Sequence, residues 1–180
     1  LNSDIEKIRK TLEESNREDF YNAVDTIISA KRIYIVGTRS ASALARFLAY
    51  YFNLMFENAR FINTASTSEM FEQIMRIEKG DVMIGISFPR YSKQTAKALS
   101  FAAGNGAKVV AITDSQNSPI AEYSTHTLIA KSDMASFVDS LVAPMSLINA
   151  LIIAIGIKKQ DEIKANFEHL ESIWDKYDVY

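Results

Sequence analysis

From Arg32 onward the chain alternates short β-rich runs, each closed by Gly, Ser, Asn or Asp, with longer stretches whose apolar residues recur at helical spacing. That alternation calls for strands joined by helical crossovers, hence a parallel sheet with helices on its faces. The pattern predicts strands over 32–36, 60–63, 81–86, 108–112 and 127–130, separated by helices over 41–56, 68–77, 93–105 and, briefly, 119–122. Ile33-Tyr34-Ile35-Val36 and Val82-Met83-Ile84-Gly85-Ile86 are apolar on both faces, as central strands covered on both sides must be. Five such strands commonly take the order 2-1-3-4-5, giving an α/β, three-layer αβα sandwich of flavodoxin-like type. Ligands then bind beyond the carboxyl ends of the first and third strands, where the connections leave in opposite directions.

Helical patterns flank this unit. Ile5, Ile8 and Leu12 follow the possible cap Ser3, and Phe20, Val24, Ile27 and Ile28 follow Asn16. Two more helices are expected over 137–157 and 159–177. The apolar stretch 141–157 contains Pro144, Ser146 and Asn149, follows Asp139 and falls short of the ~20 residues a bilayer asks for, so a core or subunit-interface helix is expected and no membrane partner. The expected organisation is a helical linker or dimerisation segment over 1–30 and a binding domain over 31–180.

Composition removes several classes of function. With no cysteine, disulfide scaffolds, thiolate zinc sites and cysteine nucleophiles are excluded. A net charge of −2 argues against this stretch holding a nucleic-acid backbone. No basic and then apolar export pattern opens the chain, so a cytoplasmic location is expected. Gly37 is followed by Thr, Arg and Ser where a dinucleotide fingerprint needs further glycines, and no Gly-Lys-Ser/Thr loop occurs. No cofactor and no metal site is expected.

The two loops at the switch point are polar. After the first strand, Gly37 is expected to turn the chain sharply, with Thr38, Ser40 and Ser42 offering hydroxyls and Arg39 a charge where the next helix begins. After the third, Ser87, Ser92 and Thr95 stand with Arg90, which Pro89 presents on a stiffened turn. Each serine alone has an ordinary reading as a helix cap. Two hydroxyl-rich loops with arginines at one edge of a sheet make an anion site, with phosphate the commonest such anion.

Ile33 to Ala41, Gly80 to Ser87, Gly106 to Asp114 and Ser118-Pro119-Ile120-Ala121 together resemble the sugar isomerase (SIS) domain family, whose members bind phosphosugars with hydroxyl loops after the first and third strands. Ser92-Lys93-Gln94-Thr95 stands at the end of the family's third-strand motif without its glycine, and Phe88-Pro89-Arg90-Tyr91 is inserted before it. That insertion is similar to the sensor domains of RpiR-type bacterial transcription regulators of carbohydrate metabolism. The resemblance implies a sugar-phosphate effector, a homodimer or higher oligomer, and contact with DNA only through a helix-turn-helix domain absent from this chain. Its expected ligand contacts are Thr38, Arg39, Ser40, Ser42, Ser87, Arg90, Ser92, Thr95 and Glu69.

An aldose–ketose isomerase of the same family is the alternative. Such an enzyme needs a base and usually a second group to open the ring. The supply is thin: His126 and His169 read as surface or packing residues. Glu69 opens the helix after the second strand; its ordinary role is an acid at a helix N-terminus, and its functional role would be a carboxylate reaching sugar hydroxyls. No catalytic residue is therefore expected.

Overall fold

The computed structural model describes residues 1–132 and 138–179. Strands β1 (Ile33–Gly37), β2 (Ala59–Ile62), β3 (Val82–Ile86), β4 (Lys108–Thr113) and β5 (His126–Ile129) form one sheet in the order 2-1-3-4-5, every pair parallel. The αβα sandwich expected from the alternation is the fold observed. Ile35 lies opposite Phe61 on one side and Ile84 on the other, and Ile84 lies opposite Val110. Every residue of β1 and β3 is buried, as strands sealed on both faces require.

Successive side chains of a strand point to opposite faces, which divides the core in two. Ile33, Ile35, Ile84 and Val110 pack beneath α2 (Arg17–Ile28), α3 (Ala41–Met55) and α6 (Val142–Lys158). Tyr34, Val36, Met83 and Val109 face α4 (Thr67–Ile74) and α5 (Lys93–Gly104). Asn16 caps α2 by accepting the Asp19 N–H at 3.1 Å, as its position predicts.

Helix α1 (Asn2–Glu14) departs from expectation at its start. Its cap position is Leu1, so Ser3 lies inside the first turn. Its apolar stripe is also turned outward: Ile5, Ile8 and Leu12 are exposed, while Lys7 and Thr11 are its buried residues. Polar contacts hold it: Thr11 Oγ1 accepts the Lys131 N–H at 2.9 Å, the Ser140 hydroxyl donates to Asp4 at 2.6 Å, and Glu14 pairs with Lys131.

At the other terminus α6 starts at Val142; residues 138–141 are not helical, and Phe137, where the helix was expected to begin, lies outside the described residues. Leu147, Ile148, Leu151 and Ile155 bury its inner face while Ile153 and Ile157 remain exposed. Helix α7 (Gln160–Tyr177) leaves α6 at 97° and contributes no buried residue. Among the described residues no single helix is long and apolar enough to cross a membrane.

Two local devices fix the sheet against its helices. At the amino edge, Asp81 is fully buried and takes two bonds from Arg32, from Nε at 3.0 Å and Nη2 at 2.8 Å, with a third from the Glu78 N–H at 2.9 Å. At the carboxyl edge, Gly37 is required by close approach rather than by a sharp turn. A Cβ there would lie 2.8 Å from the Ala41 carbonyl oxygen and 3.0 Å from the Ala45 Cβ, and its φ is not positive.

Replacing Arg32 by Met leaves the Asp81 carboxylate buried without its cation and should cost about 3 kcal/mol in urea unfolding. Gly37→Ala should cost about 1–3 kcal/mol by pushing α3 off the end of β1. A stability equal to wild type would refute either assignment.

Candidate functional site

The carboxyl ends of β1 and β3 open into a cleft of 320 Å³ lined by Thr38, Arg39, Ser40, Ser87, Arg90 and Ser92, with Asp139 on its far wall. A second cleft of 330 Å³ shares Thr38, Arg39 and Ser92 with the first and continues over Ser42, Asn63, Thr64 and Gln94. Seven of the nine residues expected at the site therefore line one contiguous, two-lobed depression at the predicted switch point. The first lobe carries both arginines; the second has Arg39 alone with hydroxyls and neutral amides.

Both arginines that line the first lobe have an unusual backbone conformation. Arg39 has φ 57° and Arg90 has φ 61°, two of only three non-glycine residues at positive φ among those described. The left-handed region costs a residue that bears a Cβ on the order of 1 kcal/mol. Each loop thus reverses direction on an arginine, where glycine would be conformationally cheaper. Among the described residues the Arg39 side chain makes no ion pair or hydrogen bond, so its charge is directed at the cleft and solvent.

The third-strand loop is pinned from inside. Ser87 is almost fully buried, and its Oγ accepts the Ser92 N–H at 3.1 Å. Ser92 in turn caps α5 by accepting the Thr95 N–H at 3.2 Å, which is its ordinary role. Tyr91 closes the loop's outer side, donating to Asp114 at 2.8 Å. Burial, followed by that hydrogen bond to a carboxylate, pushes the Tyr91 phenol up to about 12.

Ser40 does not act as the cap its position suggests. It adopts helical angles, makes no side-chain bond to the helix, and donates to Asp139 Oδ2 at 3.2 Å. Thr95 and Glu69 line neither lobe. Thr95 is fully buried beneath the loops, 3.4 Å from the Thr38 hydroxyl, because the cap bond turns it inward. Glu69 accepts from Thr64 Oγ1, standing one residue behind the rim.

Sequence reasoning missed Asn63, Thr64, Gln94 and Asp139. The first two follow β2 at the same edge of the sheet, so the rule that located the other loops covers them too. Gln94 lies inside the quoted loop, and its amide donates to the Thr64 and Ser66 carbonyls at 3.4 and 3.3 Å, joining the β2 and β3 ends. Asp139 is remote in sequence and signals only as a charge ahead of an apolar helix.

Neither lobe is lined by a His or a Glu among the described residues. His126 opens β5 at the opposite edge of the sheet and is held by Asp19 at 2.7 Å and Thr26 at 3.0 Å; His169 lies exposed on α7. The described residues hold no group of three or more acidic or histidine side chains able to bind a metal.

Comparison with known proteins places this geometry. A curated relative, an uncharacterized HTH-type transcriptional regulator of Caldanaerobacter subterraneus, is 25% identical over 96% of this chain and 62% of its own length. A regulator of the same type from Haemophilus influenzae is 27% identical over 79% of this chain and 50% of its own. The chain thus spans between half and somewhat under two thirds of these relatives. Among solved structures, the sugar isomerase domain of an RpiR transcription factor from Sphaerobacter thermophilus matches with a TM-score of 0.90 at 27% identity, covering 95% of each chain. The Vibrio vulnificus NanR protein, complexed with ManNAc-6P, shares the fold with a TM-score of 0.83 at 20% identity, over 98% of this chain and 67% of its own. The SIS domain family model matches residues 26–154, which take in the whole sheet and both loops of the cleft, and the chain belongs to the SIS domain family.

Proposed function

We propose that this chain is the phosphosugar-binding effector domain of an RpiR-type transcriptional regulator of carbohydrate metabolism, acting in the cytoplasm without catalysing a reaction on its ligand. The observation that carries this reading is the composition of the cleft: hydroxyls and two arginines at the carboxyl ends of β1 and β3, with no His or Glu among the described residues that line it. Thr38, Ser40, Ser87 and Ser92 with Arg39 and Arg90 suit a phosphate. Ser42, Asn63, Thr64 and Gln94 suit the hydroxyl-bearing remainder of a sugar.

Support comes from two directions. The HTH-type relatives and the RpiR domain favour a regulator. The ManNAc-6P held by NanR is an example of a phosphosugar on this fold. Contact with DNA falls to a helix-turn-helix domain outside this chain, with residues 1–30 as the connecting segment. The exposed apolar side chains of Ile5, Leu12, Ile153 and Ile157 suit self-association, so the working unit is a homodimer or larger. An isomerase remains the second reading, because Glu69 stands behind the rim and could serve as a base after a shift of Thr64; turnover of a ketose phosphate by the purified chain would decide for it.

Thermal unfolding against a panel of sugar phosphates and their unphosphorylated parents tests the proposal. A ligand at ~100 times its Kd should add about 2.7 kcal/mol, a rise of roughly 5–10 °C, and the parent sugar should add nothing. Ser40→Ala and Ser87→Ala should each weaken that ligand by about 1–3 kcal/mol. Equal shifts from a sugar phosphate and its parent sugar would overturn the phosphate assignment.

The pinned loop gives a pH prediction. Because the folded phenol of Tyr91 is raised above its unfolded value of about 10, its contribution is fully present below pH 10 and is lost as pH rises through about 12. The stability difference between wild type and Tyr91→Phe should shrink across that interval in urea titrations at stepped pH. A constant difference would show that the Tyr91–Asp114 bond does not hold the loop.

A further inference from the structure

The connection between β5 and α6 brings a carboxylate into a cleft otherwise lined by cations and hydroxyls. Asp139 lines the first lobe with Arg39 and Arg90. Its Oδ2 accepts from Ser40, while its Oδ1 is buried with no hydrogen-bond partner among the described residues. A buried acceptor left unpaired is a strained arrangement, and a fixed negative charge opposes any anion entering the same lobe. Such an anion also needs the Ser40 hydroxyl that Asp139 already occupies.

The neighbouring residues tie this carboxylate to α1. Ser140, next in the chain, donates to Asp4 at 2.6 Å, a bond that holds the Asp4 carboxyl below its ordinary value. The Ser140 carbonyl accepts from Ser132 at 3.1 Å, and the Lys131 N–H donates to Thr11 of α1. Helix α1 also packs on α6, yet it leaves Ile5, Ile8 and Leu12 exposed. Part of its seat on the domain therefore runs through Ser140, the residue next to Asp139.

We infer that Asp139 is an internal competitor for the anion seat: a ligand anion displaces its carboxylate from Ser40, and the displacement passes through Ser140 and Asp4 to loosen α1. The inference rests on the reading of the cleft as an anion site, and it adds the residue that reports occupancy and the helix that receives the report. Linkage makes the effect reciprocal, so weakening the Ser140–Asp4 bond favours anion binding just as anion binding weakens that bond.

Calorimetric titration of the whole chain with inorganic phosphate tests this, together with hydrogen exchange over residues 2–14. Asp139→Asn should bind phosphate about five- to tenfold more tightly than wild type, the effect of removing one like charge at contact distance in a water-exposed cleft. Asp139→Glu should stay near wild type, and phosphate should speed exchange of the α1 amides in wild type. A gain of affinity is not what a merely destabilised variant would show. If wild type binds phosphate and Asp139→Asn binds it no better, or α1 exchange is unchanged on binding, the inference falls while the anion cleft stands. If neither protein binds phosphate, the cleft assignment falls and the inference with it.

Discussion

A parallel sheet sealed by helices on both faces offers water only the two rows of strand ends, and this chain uses those rows for opposite purposes. At the amino row, a buried Asp81 held by Arg32 fixes strand to strand, with three hydrogen bonds satisfying the carboxylate. At the carboxyl row, backbone and hydroxyl groups are left facing a two-lobed depression. The order 2-1-3-4-5 sends the β1 and β3 connections to opposite faces, so that their loops part and leave a crevice. The arginines and most of the hydroxyls argued to meet a ligand follow from that parting.

The fold was legible because its determinants are local and periodic. The runs at Ile33 and Val82 read as doubly buried strands from four or five residues each, and the apolar spacing between them read as crossovers. Elements failed at their ends and at the periphery. Ser3 resembles a cap in sequence, yet the helix starts two residues earlier, and α1 is tied down by polar bonds to Lys131 and Ser140. Those partners lie more than a hundred residues away, beyond the reach of any local rule.

The site was legible in its loops and less so in its individual hydroxyls. Whether a serine at a strand-to-helix junction caps the helix or faces outward depends on one dihedral angle, and the two loops choose differently. Ser92 caps and Ser40 does not. Thr95 follows from the first choice, since a capped turn points it into the protein. Asp139 was out of reach for a different reason: it joins the cleft only through tertiary folding. A charge ahead of an apolar helix carries no indication of which cavity it will enter.

Arg39 and Arg90 have a consequence that reaches past recognition. Both hold left-handed backbone angles, and both sit where glycine relieves the steric cost of that conformation. Any search for a sturdier version of this domain, whether by consensus or by selection on heat resistance, would be drawn to those two positions first. The same exchange would strip the positive charge from both walls of the first lobe. On the proposed reading of the cleft, durability gained by that route would yield a domain deaf to its ligand, which gives a physical reason for strained arginines to stand at two turns where glycine would be easier.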